Sequence, residues 1–357
     1  MTRVVFHIGD RKTGTTSLQR LFTDWLGETG QSADGTLLYP SAGRWREKRI
    51  NHVNLAYQTC SDARFKPDLG SWADLGLEIA LSSARLVVVS SEGFESADPA
   101  RMAADVATHL PPGTEVQMVC YLRSHIDRIC ASYAQNVKTG KYFRPLEVFA
   151  ARSARGRLGQ PFQRLQRWRD HFGDRLEVRA YRRDRLLRQD VLDDFLSGVL
   201  RLDPALVAMK PQITLENTNP GMQALEAVRR LCVAAGLEKK PDALPAAVLE
   251  RRFLGPLRET LIRLLPDDPP LRLSHSAADM THEACLEDAQ AIDAAFFADD
   301  PCFVAALTES RDKAHAAARM AAVPAELPAP VQAVLADCGN RLAAALREYR
   351  SAGSPGT

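Results

Sequence analysis

The stretch Gly9-Asp10-Arg11-Lys12-Thr13-Gly14-Thr15-Thr16-Ser17 gathers the residue types that hold an anion. Lys12 brings a full positive charge, and Thr13, Thr15, Thr16 and Ser17 bring hydroxyl donors. Three residues further on carry chemistry of their own. His52 has an imidazole that ordinarily titrates near neutrality, suited to taking a proton. Glu92 stands at the polar end of one apolar run. Arg123 stands at the end of another, where its planar fork can grip phosphate through two hydrogen bonds.

The elements that must position these groups are legible around them. Residues 4–8 are a β-branched apolar run that reads as a buried parallel strand. After the loop, Leu18, Leu21, Phe22, Trp25 and Leu26 recur at helical spacing and Gly27 ends the pattern. Strand, glycine-bearing loop and helix start together make an anion site. The first amides of a helix have no internal partner, and its dipole adds about half a positive charge there.

Residues 86–92 form a second strand that turns polar at its end. In an open parallel sheet ligands sit at the carboxyl ends of strands, which predicts that Glu92 faces the same crevice as Lys12. The other reading of Ser90-Ser91-Glu92 is a turn or a helix cap. Residues 115–122 are a third strand, with Arg123 at its end and a helix over about 126–137 behind it. A helix over about 162–171, a strand over 176–181 and an amphipathic helix over 191–199 follow. The alternation predicts an α/β fold: a doubly wound parallel sheet with flanking helices.

Register separates the kinds of phosphate loop. A nucleoside-triphosphate loop needs G-x-x-x-x-G-K-[ST], and here Gly9 and Gly14 have the right separation but Thr15 stands where the lysine belongs. The dinucleotide pattern G-x-G-x-x-G also fails, since only Gly9 and Gly14 are present. What Lys12-Thr13-Gly14-Thr15-Thr16 resembles, with His7-Ile8-Gly9 before it and Ser17-Leu18-Gln19 after it, is the 5′-phosphosulfate loop of sulfotransferases that use 3′-phosphoadenosine 5′-phosphosulfate (PAPS), in their bacterial branch.

The resemblance covers about residues 3–200 and implies a P-loop NTPase-like sheet. It implies that Lys12, Thr13, Gly14, Thr15, Thr16 and Ser17 bind PAPS, with Lys12 also catalytic beside the departing oxygen. Arg123 followed by Ser132 is similar to the family's 3′-phosphate site. The family places that serine eight residues after the arginine, a position held here by Ala131, so Ser132 qualifies only where the turn Ser124-His125 absorbs one residue. The general base is His52 or Glu92; His52 is slightly favoured, because Glu92 can instead anchor Lys12 or Arg123. The implied reaction moves a sulfuryl group from PAPS to a hydroxyl or amine of a small molecule or glycan, with no metal. The alternatives are a kinase-like phosphotransferase, which needs a lysine after the second glycine and an acidic magnesium site, and a non-catalytic member that only binds nucleotide.

The rest of the 357 residues bounds these readings. Lys and Arg number 46 against 44 Asp and Glu, and the net charge of +2 argues against nucleic acid as a partner. The 7 cysteines are odd in number, scattered and never C-x-x-C, which argues against a disulfide framework and a zinc site. No apolar run approaches the roughly 20 residues of a membrane span. The start runs directly into the first strand with no room for a signal peptide, and the expectation is a cytoplasmic protein. From about residue 220 only helical patterns remain. The expected organisation is one sulfotransferase-like domain over 1–318 (sheet core 1–200, helical part 201–318), a Pro/Ala-rich linker over 319–331 and a C-terminal helix with a frayed tail over 332–357. Asn217-Thr218-Asn219-Pro220 resembles a stretch that approaches the nucleotide in relatives.

Overall fold

The computed structural model describes residues 1–44, 50–211, 220–239, 244–318 and 327–351. Asn217 to Asn219, the expected linker up to residue 326 and the tail from 352 lie outside the described residues. The strands are β1 (Arg3–His7), β2 (Leu37–Leu38), β3 (Leu86–Ser90), β4 (Glu115–Leu122) and β5 (Leu176–Ala180). The helices begin with α1 (Thr15–Leu26), α2 (Val53–Thr59), α3 (Trp72–Leu81), α4 (Pro99–His109), α5 (His125–Lys138), α6 (Leu146–Ala154) and α7 (Phe162–Phe172). They continue with α8 (Val191–Asp193), α9 (Pro204–Ala208), α10 (Met222–Ala234), α11 (Ala246–Leu249), α12 (Gly255–Leu264), α13 (His275–Phe296), α14 (Phe303–Ala318) and α15 (Ala329–Ser351). Two compact units result: unit 1 comprises Met1–Ser124, Pro161–Leu215 and Ala294–Cys302, and unit 2 comprises His125–Gln160, Glu216–Asp293 and Phe303–Thr357.

Unit 1 is an α/β layer structure on an all-parallel sheet in the order β2-β3-β1-β4-β5. β1 is central, and its neighbours in sequence explain why. Val4, Val5, Phe6 and Ile8 are all fully buried. Val5 belongs to the cluster of Leu18, Leu21 and Phe22 from α1 and Phe195 beyond α8. Phe6, the next residue, points the opposite way and meets Trp72 of α3 at 5.6 Å and Phe94 at 6.3 Å between ring centroids. A strand covered on both faces has no reason to alternate, so its apolar run is continuous. Full burial of each such side chain contributes about 1.5–3 kcal/mol.

The order in which strands are laid down reverses at β1. From β1 the chain goes to β2 and β3 on one side, then crosses to β4 and β5 on the other. That reversal makes the carboxyl ends of β1 and β4 a switch point, the place where open parallel sheets bind ligands.

Several elements escape the sequence pattern. α3 has apolar residues all round, with Leu75 and Ile79 buried but Leu77 and Leu81 exposed, so no stripe marks it. β2 is only two residues, paired to Leu86 and Val87 in what reads as a polar loop. The expected helix over 191–199 is one helical turn, α8, that continues as a π-helical stretch over Asp194–Val199.

Unit 2 is helical. α10 lies against α5, α12 and α15 and buries Leu225, Val228 and Leu231. α15 begins at Ala329 and seats Val331, Cys338, Leu342 and Leu346. His125 opens α5 and its Nε2 lies 2.8 Å from Asp288 of α13, both nearly inaccessible. Among the described residues no helix is long and apolar enough to cross a membrane.

Candidate active site at the carboxyl edge of the unit 1 sheet

β1 ends because its backbone turns at Gly9, with φ +67°. A Cβ on Gly9 would lie 3.0 Å from the Cα of Glu92, so only glycine lets the loop pass this close to the end of β3. The loop then closes on itself: Asp10 Oδ1 accepts from the Arg11 amide at 3.1 Å, and Thr13 Oγ1 donates to the Asp10 carbonyl at 2.5 Å. Lys12 sits between them at φ +70°, a left-handed conformation that costs a lysine about 1–2 kcal/mol. Strain of this kind persists where surrounding structure holds it, and it concentrates at functional sites.

Gly14 is the residue before α1, at φ +78°, and a Cβ there would meet Val191 Cγ1 at 2.8 Å and the Tyr181 ring at 3.4 Å. Its carbonyl accepts from the Ser17 and Leu18 amides. Gly14 provides no side-chain cap, and the first turn of α1 holds no acidic residue. The helix start therefore has neither of the usual internal substitutes for an anion. Of the expected hydroxyl donors, Thr13 is spent inside the loop and Thr16 is exposed. Ser17 is buried in α1. Thr15 is 2% exposed, and its hydroxyl lies close enough to act on the Glu92 carboxyl yet has no partner at hydrogen-bond distance.

Three charged groups from separate elements meet at this loop. Lys12 is exposed at its rim; the protein around the stem strips enough water to lower its pKa, Glu92 opposes that, and Arg11 and Arg123 add to it. Glu92 opens the 3-10 turn Glu92–Ser96 after β3, with Ser91 Oγ accepting from the Gly93 amide at 3.0 Å. Its pKa is raised, chiefly by burial, against the pull of Arg11 and Lys12. Arg123, just past β4, donates from Nη1 to the Lys12 carbonyl at 3.3 Å, and its guanidinium lies 5.9 Å from the Tyr181 ring centre. Lys12, Glu92 and Arg123 thus share one edge of the sheet. A cation, a carboxylate whose pKa is raised by burial, and an arginine fork can bind an anion and accept a proton beside it.

His52 is elsewhere, and the expected role as base is corrected by its surroundings. It is fully buried ahead of α2. Its Nδ1 accepts from the Ser90 amide at 3.1 Å and its Nε2 donates to the Pro40 carbonyl at 2.9 Å. Burial, helped by Arg44, lowers its pKa to about 3. Both nitrogens are occupied in tying residues 40 and 52 to β3, which leaves nothing for a substrate. Ser132 stands on α5 in unit 2, half-buried, and its carbonyl accepts from Asn136 Nδ2 at 2.8 Å.

Two residues beneath the loop carry no signal in the sequence pattern. Arg164 of α7 is 4% exposed and pairs with the fully buried Asp10, Nη2 to Oδ1 at 3.8 Å. Burial works against its charge, and Asp10 outweighs that and leaves its pKa raised. Tyr181, past β5, flanks Gly14 and Arg123. An aspartate between two loop glycines hints at a buried partner, but nothing local says which arginine answers.

Fold and site define an α/β protein with a strained, lysine-bearing loop at the switch point of a parallel sheet. No protein-family model, curated protein or solved structure matches the chain.

Proposed function

We propose that unit 1 is a sulfotransferase, moving a sulfuryl group from PAPS to a hydroxyl or amine of a small-molecule or glycan acceptor on a P-loop NTPase-like fold. The observation that carries this reading is the contact of Arg123 with the backbone of Lys12, which puts the loop cation and the strand-end arginine at one edge of the sheet. The uncapped start of α1 and the orphan hydroxyl of Thr15 fit the donor's 5′-phosphate. Arg123 fits a second phosphate.

The chemistry follows from the charges. The acceptor oxygen attacks sulfur in line and gives its proton to a Glu92 carboxylate oxygen; the bond from sulfur to the 5′-phosphate oxygen breaks and its electron pair stays on that oxygen. Lys12 stabilises the charge growing there. Glu92 takes the role of base because its raised pKa makes it a better proton acceptor than an ordinary carboxylate.

A thermal-shift comparison tests the reading. Stabilisation by 3′-phosphoadenosine 5′-phosphate without magnesium supports it, ATP with magnesium as the better ligand supports a kinase-like phosphotransferase, and a response to neither overturns both. Transfer of label from radiolabelled PAPS to a panel of glycans and small alcohols then identifies the acceptor; nucleotide binding with no transfer to any of them marks a non-catalytic member.

A further inference from the structure

Unit 2 contains a cavity of about 240 Å³ where α5, the start of α6, α10 and residues 271–272 meet. The volume falls below the ~300–1,000 Å³ of sites for drug-sized ligands, so its occupant is small or is one end of something larger. Leu146, Leu225 and Leu271 give it an apolar wall.

The charged part of the lining is unevenly satisfied. Glu226 accepts from Arg229 through both carboxylate oxygens, at 2.7 Å each, and from Arg230 Nε at 2.8 Å. Arg229 also donates to the Phe143 carbonyl at 2.9 Å. That network is closed. Arg272 is half-buried on the same lining, and among the described residues no hydrogen bond or ion pair holds its guanidinium. Glu147, the remaining acid of the lining, is exposed at the rim.

Tyr133 is the second observation. It is 3% exposed, its ring packed edge-on against Tyr142 and Phe149, yet among the described residues its hydroxyl donates to nothing. The charged groups that act on that hydroxyl are Arg229, Glu226 and Glu147, all on the cavity lining, so the hydroxyl faces the cavity. That hydroxyl stays accessible through the cavity, where an acceptor oxygen of a ligand can take its hydrogen bond.

We propose that this cavity is a binding site for a small carboxylic acid with an apolar body, its carboxylate taken by Arg272 and the Tyr133 hydroxyl and its body by Leu146, Leu225 and Leu271. The site is independent of sulfuryl transfer in unit 1. A carboxylate suits it because it accepts from a guanidinium fork and from a hydroxyl at once, and the three arginines of the lining outnumber its two glutamates by one.

Calorimetric titration of the full chain with phenylacetate and 4-phenylbutyrate, each beside its neutral amide, tests the proposal. The acids are expected to bind at least about tenfold more tightly than the amides, the discrimination of one charge-assisted hydrogen bond. Arg272→Met should cost about tenfold and Arg272→Lys less, since a lysine keeps charge without the fork. Tyr133→Phe should weaken the acid about threefold to tenfold while leaving the melting temperature unchanged or higher, because no internal bond is lost. Lys12→Ala, in unit 1, should leave this binding intact. Equal affinity for acid and amide, full binding by a folded Arg272→Met variant, a drop in melting temperature on Tyr133→Phe, loss of binding on Lys12→Ala, or no binding of either acid each overturns it.

Discussion

At the mouth of the 9–14 loop, Lys12, Glu92 and Arg123 stay open to solvent on one side and act on one another's charge. Away from that mouth, His7, Asp10 and Arg164 on the floor below the loop and His52 against β3 are shut in, none more than 4% exposed. The residue types barely differ, but the outcome does. Away from the mouth burial fixes the charge of each histidine, while His7 Nε2 and the Arg164 guanidinium nitrogens find no hydrogen-bond partner among the described residues. His52 and His7 are held neutral, with pKa values lowered to about 3 and about 4, and Arg164 is matched to Asp10. At the mouth, desolvation and neighbouring charge oppose one another without cancelling, so the pKa of Glu92 rises and that of Lys12 falls while both remain reachable. Settled groups build the loop. Contested ones can react.

The largest effect expected from this division is at Glu92. Glu92→Gln should lower kcat/KM by about 10²–10⁴ with the melting temperature nearly unchanged. The unsubstituted protein should gain activity as pH rises through a value above the ordinary glutamate pKa of about 4.3, and that acid limb should vanish in the variant. An acid limb that survives Glu92→Gln would assign the base to another group.

Lys12→Ala comes next, with an expected fall in kcat of about 10²–10³, the scale for losing one donor to developing charge. Lys12→Arg should recover part of it. Activity should decline at alkaline pH through a pKa lower than the ~10.4 of a free lysine, because deprotonation removes the stabilising charge.

The floor should answer in stability instead. Arg164→Met leaves Asp10 buried without its cation and should cost about 3–5 kcal/mol in urea unfolding. Pairing it with Asp10→Asn should return much of that loss. A single substitution that leaves stability unaltered but halts turnover would move Arg164 from floor to mouth.

Per pH unit, the pH dependence of folding is smaller still. In the unfolded chain His7 and His52 take up protons near pH 6.5, while in the fold they resist until about pH 4 and about pH 3. The unfolded state then binds more protons, so stability falls as pH drops through this window, by about 1.4 kcal/mol per pH unit for each histidine. Above pH 6.5 the dependence disappears. His52→Gln, which can still accept and donate, should flatten the slope by one proton and change turnover by less than about threefold.

The two candidate bases show why the sequence left that choice open. Both lie a few residues from a strand end or a helix start, and both side chains can take a proton. Whether a histidine is a structural strut or a base depends on the Ser90 amide and the Pro40 carbonyl, which come from separate segments. Nothing within ten residues of His52 encodes their approach. The cavity of unit 2 is equally silent in the sequence, since Tyr133 on α5 and Arg272 ahead of α13 line it together from distant parts of the chain.

By itself the sequence determined the parallel sheet, the helix after β1 and a lysine-bearing loop between them, because each is written in neighbouring residues: a continuous β-branched run, an i, i+3, i+4 stripe, two glycines at turning points. Tertiary structure alone decided the left-handed strain at Lys12, the pairing of Asp10 with an arginine 154 positions away and the burial that raises the pKa of Glu92. Local order follows from periodicity that adjacent residues share. The state of an ionisable group follows from how much water its distant neighbours remove and what charge they offer in return.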